Sequence, residues 1–319
     1  MLSRVAEHIY WMSRYIERAE STARLISFNA FLLLDLPSGL VPEWEPLIYI
    51  TGSEVDYAAL HDEFSERTVV RYLIGTATNP GSILQSLKSA RENCRSVRDA
   101  LPRAVWEELT ELYEYAHENM QSGLTKKGRY TYLKHIIRST QLIAGTLNST
   151  MTRNAAFSFG CIGHHLERAD MTTRIIDVRT ANLLPEQATE LRPFETIQWV
   201  SVLNSLDAYL MYRKSRQAQV TRSEVLRFLV QDPLFPRSFL FSVHSLKDGI
   251  SRLPNNGILL SSLKKLEKQA RRAQVHALKH VELHTYLDEL QQCLDEIHNQ
   301  ICETYFMHLP ESEELRVAN

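Results

Sequence analysis

The chain has 319 residues, and its 36 lysines and arginines against 38 aspartates and glutamates leave a net charge of -2. That balance gives no global field for holding nucleic acid or anionic lipid. With 44% hydrophobic residues the chain can bury a large core, and only 11 glycines and 11 prolines favour long helices over a sheet with many tight turns.

The first ten residues are too charged for a signal peptide, and the longest apolar run, Phe31 to Leu34, is far too short to span a bilayer. A cytoplasmic protein is expected, with no membrane contact. Cys94, Cys161, Cys293 and Cys302 show neither CxxC pairing nor metal-ligand spacing and read as reduced thiols.

In chain order, a long first helix is predicted over about 3–34, because Val5, Ile9, Met12, Ile16, Ala19 and Ala23 alternate steps of four and three. Arg14, Glu17, Arg18, Glu20 and Arg24 lie on this helix, with Glu17 and Arg18 off the apolar seam. A helix ending near Ile74 follows, then one starting at Pro80, since proline suits a first helical turn. Two more are predicted at roughly 103–121 and 129–152, with a loop from Pro37 to Pro46.

The second half repeats this order: a helix over about 155–183, one ending near Val230, one starting at Pro236, and two more at roughly 257–275 and 280–307. The repetition is visible in the residues. Tyr15-Ile16-Glu17-Arg18-Ala19-Glu20-Ser21-Thr22-Ala23-Arg24 returns as His165-Leu166-Glu167-Arg168-Ala169-Asp170-Met171-Thr172-Thr173-Arg174. Val69-Val70-Arg71-Tyr72-Leu73-Ile74 with Pro80-Gly81-Ser82 returns as Val225-Leu226-Arg227-Phe228-Leu229-Val230 with Pro236-Arg237-Ser238. Thr131-Tyr132-Leu133 is answered more weakly by Thr285-Tyr286-Leu287. The expected fold is therefore all-α, an internally duplicated helical bundle in which residues 1–150 and 151–309 form two pseudo-symmetric repeats packed into one body. Residues 310–319 read as a disordered acidic tail.

The charged positions allow two readings. Glu20 with Arg24, and Asp170 with Arg174, are four apart, the order of ordinary surface ion pairs. Yet Tyr10, Trp11 and Leu25 share stripes with Glu17 and Arg18, and a helix apolar nearly all round is a central one. Buried, Glu17, Arg18, Glu167 and Arg168 must find partners, either as a structural network or as a site for a carboxylate or phosphate.

No Walker loop, dinucleotide-binding turn or serine-nucleophile elbow occurs, so no catalytic residue and no cofactor is assigned. His276, His280 and His284, with Asp288 a turn further on, have helical spacing but suit a solvated face better than a metal site. Lys88, Arg91, Arg95 and Arg98 form a basic stripe that also reads as a solvated face.

Met1-Leu2-Ser3-Arg4, Tyr10-Trp11 and Arg14-Tyr15-Ile16-Glu17-Arg18-Ala19-Glu20 resemble the alpha-E family of bacterial helical proteins, as do Ala90-Arg91-Glu92-Asn93, the second Glu-Arg helix and Phe235-Pro236-Arg237-Ser238. The resemblance covers almost the whole chain. It implies encoding beside a circularly permuted ATP-grasp protein and a transglutaminase-like protein. This chain would then be a non-catalytic helical partner or scaffold in an ATP-dependent system that forms amide bonds or modifies peptides. The alternative is a transferase or hydrolase acting on an amino acid or peptide at a Glu/Arg-lined cleft between the repeats. The chain departs from the pattern at His164-His165, where a pair like Arg14-Tyr15 is expected, and this predicts an asymmetric site.

Overall fold

The computed structural model describes residues 3–35, 44–181, 192–216 and 219–306, and all regular structure among them is helical. The expected tail at 310–319 and residues 37–43 of the expected loop lie outside the described residues.

The first half contains α1 (Ser3–Asp35), α2 (Glu45–Ile50), α3 (Glu54–Ala58), α4 (Glu66–Gly75), α5 (Ile83–Ser96), α6 (Arg103–Glu118), α7 (Met120–Leu124) and α8 (Lys126–Thr150). The second contains α9 (Ala155–Ala181), α10 (Arg192–Ser205), α11 (Tyr209–Arg216), α12 (Arg222–Gln231), α13 (Phe239–Ser251), α14 (Gly257–Arg272) and α15 (His280–Tyr305). The long helices stand where the periodicity puts them. The short helices α2, α3, α7 and α11 were not legible, because one or two turns are too few to display a period, and the longer α10 was not anticipated either.

Two starts differ from expectation. Helices α5 and α13 begin three residues after Pro80 and Pro236, capped by Ser82 and Ser238. Each serine hydroxyl accepts from a first-turn amide, that of Gln85 at 3.4 Å and of Phe241 at 3.1 Å. A capping hydroxyl satisfies an otherwise orphaned N–H, whereas proline merely tolerates the position. The proline instead opens a turn, closed by Ser82 N–H on Asn79 O (3.1 Å) and by Ser238 N–H on Phe235 O (2.9 Å). The middle residue of each turn, Gly81 or Arg237, is thereby set beside the central helices.

Those central helices are α1 and α9. Helix α1 packs against α9, α5 and α8, while α9 also packs against α13 and α15. Their approach is close enough that a Cβ at Gly163 would lie 2.2 Å from the Tyr10 carbonyl oxygen, so this position needs a residue without a side chain. At Gly160 the nearest atom to such a Cβ is Ser13 Oγ at 3.4 Å. The buried apolar residues form one continuous cluster running from Ala6 to Phe306. Among the described residues, no helix is long and apolar enough to cross a membrane.

The expected histidine face is not formed. His276 lies in the turn before α15, which starts at His280, so the three imidazoles do not share one helix. His284 instead pairs with Asp177 of α9 at 2.7 Å.

Candidate functional site

The Glu-Arg residues meet where α1 faces α9, and burial decides between the two sequence readings. Glu17 is 0% exposed, Glu20 2%, Arg24 5% and Glu167 1%, so Glu20 and Arg24 are not a surface ion pair, while Asp170 and Arg174 are half-buried. An unpaired charge at such positions would cost several kcal/mol, and each carboxylate is accordingly held by more than one donor or by a bidentate fork.

Arg168 of α9 donates to Glu17 of α1 through Nε and Nη2, both at 2.8 Å. His164 Nδ1 stands 3.3 Å from the same carboxylate. Arg237 spans two acids, reaching Glu17 at 3.4 Å and Glu20 at 2.5 Å. Arg24 holds Glu20 at 2.9 Å and also faces Asp207 at 3.3 Å.

The reverse exchange occurs at the adjacent residue of each helix. Arg18 of α1 donates to Glu167 of α9 through Nε at 2.5 Å and Nη2 at 3.1 Å. Arg14 adds a third bond at 2.7 Å, and its guanidinium lies 5.0 Å from the Trp11 ring. Asp170 receives Arg174 Nε at 3.0 and 2.9 Å. Every residue expected at the site is therefore brought to this interface. Each Glu-Arg helix forks the carboxylate of the other, so the pairing runs between helices for Glu17 and Glu167, within one helix for Asp170, and both within α1 and to Arg237 for Glu20.

Burial alone would raise the Glu167 carboxyl, but Arg18 and Arg14 overcome it and hold it at about 2. Glu17 is lowered for the same reason, with Arg168 and Arg237 outweighing burial. Asp170 goes the other way, because burial exceeds the effect of Arg174. Burial, reinforced by Arg168, pushes His164 well below its ordinary value; burial and then His164 itself do the same to His165. Both imidazoles are neutral at pH 7. Neither Glu17 nor Glu167 is placed to act as a general base, since the arginines stabilise the charged form.

Two cavities flank this belt. One, of about 310 Å³, is walled by apolar residues of α1, α8 and α9 such as Met12, Ile143 and Leu147, and its polar lining includes Ser13, His164, His165 and Arg168. The hydroxyl of Ser13 and Nδ1 of His165 are buried there without a partner among the described residues. The other, of about 250 Å³, is polar and lined by Arg18, Thr22, Gly81, Glu167, Asp170 and Arg174.

Arg237 and His164 complete the belt, although the sequence motif did not mark them as members. The signal for Arg237 was the repeat itself, in which an arginine replaces Gly81 between matched proline and serine. His298, which accepts or donates at Tyr10 Oη (2.7 Å) and lies 3.3 Å from Arg14 Nη1, had no such signal.

The basic stripe is not wholly a solvated face. Arg91 lies over Tyr113 and Trp106, and Arg98 over Trp106, so two of its guanidinium groups cover aromatic rings of α6. Arg95 is exposed and pairs with Glu92. Carboxylate and imidazole atoms of Asp177, His284 and Asp288 lie within 4.8 Å of one another, a spacing that exposed acidic groups often show without a metal.

Comparison with known proteins gives a consistent picture. An uncharacterised protein of Mycobacterium bovis is 22% identical over 271 residues, which is 79% of this chain and 30% of that protein. Two uncharacterised proteins of Mycobacterium tuberculosis strains match over the same length at 22% and 21%. The chain thus spans about 30% of the length of these curated relatives. No solved structure matches it. The model of the Alpha-E family, described as a predicted alpha-helical domain with a conserved ER motif, matches residues 1–306. Two Glu-Arg sequences, Glu17-Arg18 and Glu167-Arg168, lie within the matched span, and the chain belongs to the Alpha-E family.

Proposed function

We propose that the chain is a duplicated helical module that serves as a non-catalytic partner or scaffold for an ATP-grasp ligase-like protein, in a system that forms amide bonds or modifies peptides. In this reading α1 and α9 are copies of one helix, and their Glu-Arg forks brace the two halves. The observation that carries it is the state of the two central acids. Glu17 and Glu167 are fully buried, each is gripped by a guanidinium fork from the other helix, and neither is available as a base.

The size of the relatives is in keeping with such a role, since the matched unit makes up less than a third of each. A helical unit inside so much longer a chain works beside other parts. The partners are expected to be a circularly permuted ATP-grasp protein and a transglutaminase-like protein, and the compartment the cytoplasm.

The test is affinity purification of the tagged chain from its native host, followed by mass spectrometry. An ATP-grasp protein recovered in fixed ratio supports the reading; a partnerless chain at native abundance overturns it. The second reading, an enzyme acting on an amino acid or peptide, is favoured by the cavity of about 310 Å³ that carries two neutral histidines. Turnover by the isolated chain, lost in a folded His165→Gln variant, would decide for it.

A further inference from the structure

The polar cavity of about 250 Å³ gains meaning beside its counterpart in the other half. Around Glu17 and Glu20, the arginines Arg24 and Arg168 complete a cage of two acids and two bases, and that cage holds the guanidinium of Arg237. Around Glu167 and Asp170, Arg174 and Arg18 occupy the corresponding places. The turn before α5, however, carries Gly81 where the turn before α13 carries Arg237. The space filled by a guanidinium in one cage is open in the other.

An independent observation marks the open cage. Thr22, 1% exposed, lines it, and its hydroxyl has no partner among the described residues. The corresponding Thr172 donates to the Arg237 carbonyl at 3.2 Å. Leaving a buried hydroxyl without a partner is costly, so an unpaired one facing a cavity points to a ligand. The carboxylates agree. Glu20 receives two arginines, whereas Asp170 receives Arg174 and is pushed upward by burial. Arg14 stands beside Glu167 where neutral His164 stands beside Glu17, and exposed Asp56 lines the open cage as exposed Asp207 faces Arg24 in the filled one.

We propose that this cavity is a binding site for a guanidinium group, seated between Glu167 and Asp170 as Arg237 is seated between Glu17 and Glu20, with Thr22 accepting one of its N–H groups. The proposal rests on the duplication reading above. Arg18 and Arg174 also line the cavity, but both are paired with Glu167 and Asp170, so a phosphate or a second carboxylate would have to compete with those acids for them.

The test uses the full chain and thermal unfolding with agmatine, N-acetylargininamide and inorganic phosphate as probes. Agmatine at saturation should raise Tm by about 3 °C or more. Tighter binding of N-acetylargininamide would assign the group to a peptide arginine, and tighter binding of agmatine to a free small molecule. Gly81→Arg supplies the missing side chain from within, and a Cβ there meets only Asn79 Oδ1 at 3.3 Å. This variant should be more stable without ligand and should no longer respond to agmatine. Asp170→Asn should fold and bind agmatine at least tenfold more weakly. The proposal is overturned by an absence of response in the wild type, by a response to phosphate alone, or by agmatine binding that survives Gly81→Arg. If Gly81→Arg is stabilised while the wild type binds no guanidinium probe, this site fails and the duplication reading stands.

Discussion

Replacing Glu167 with glutamine tests the central belt at one of its two fully buried acids. Glutamine keeps the shape and one carbonyl acceptor but removes the charge that Arg14 and Arg18 share. Removing one partner of a buried ion pair costs about 3–5 kcal/mol, because the remaining charge stays buried without compensation. Linkage gives the same size. A carboxyl moved from 4.5 unfolded to about 2 folded corresponds to about 3 kcal/mol of stability at neutral pH. Because the folded value is the lower one, this contribution is complete above pH 4.5 and is lost as pH falls toward 2. Urea unfolding followed by helical ellipticity should place Glu167→Gln about 3 kcal/mol below the wild type at pH 7, narrowing to about 2 kcal/mol at pH 3.5. Arg103→Ala, which breaks an exposed pair with Glu107, should stay within about 0.5 kcal/mol. A Glu167→Gln cost below about 1 kcal/mol at pH 7, or one that does not change with pH, would show that the belt is solvated and refute this reasoning.

Gly163→Ala should cost about 3 kcal/mol, read as a fall in urea midpoint, because its methyl would sit 2.2 Å from a backbone oxygen that cannot move without parting α1 from α9. Arg237→Gly should cost about 2–4 kcal/mol by leaving Glu17 and Glu20 undercompensated, and millimolar agmatine should restore part of the lost Tm. His164 and His165 have folded values depressed below 6.5, so their stabilising effect is full above pH 6.5 and declines as pH falls. Unfolding at pH 7 and pH 5.5 should show this loss in the wild type, by up to about 1.4 kcal/mol per pH unit per histidine, and a smaller loss in His165→Gln.

Much of the architecture was legible because helical period and burial leave marks in the order of residues. The alternation from Val5 to Ala23 fixed the inner face of α1, and the aromatic and aliphatic neighbours of Glu17 announced that its charge lay inside. What the order of residues could not display was which arginine reaches which acid. Arg18 and Arg24 are each a plausible neighbour for several carboxylates, and the choice is made by the crossing of α1 and α9, a tertiary fact. Arg237 was hidden for a similar reason. It lies 220 residues from Glu17 and enters through a turn whose role became visible only when Ser238, not Pro236, was seen to cap α13.

A charged belt between two otherwise apolar helices needs a reason beyond stability, since an apolar interface of the same volume would hold at least as well. Register supplies one. The apolar seams of α1 and α9 repeat every three or four residues, so a slip of one turn would still bury apolar surface against apolar surface. The charges forbid it: a four-residue shift of α1 would carry Arg18 and Glu17 away from Glu167 and Arg168 together, leaving buried ions unpaired. We predict that a variant replacing Glu17 and Glu167 with Gln, and Arg14, Arg18 and Arg168 with Met, keeps its helix content and unfolds within about 2 kcal/mol of the wild type, because both members of each fork are removed, together with Arg14, which would otherwise lose its acid. Its amide NMR spectrum should nonetheless show more than one set of signals for α1 and α9. A single, sharp set matching the wild type would mean that close packing at Gly163 alone defines the register, and that the Glu-Arg belt is kept for binding.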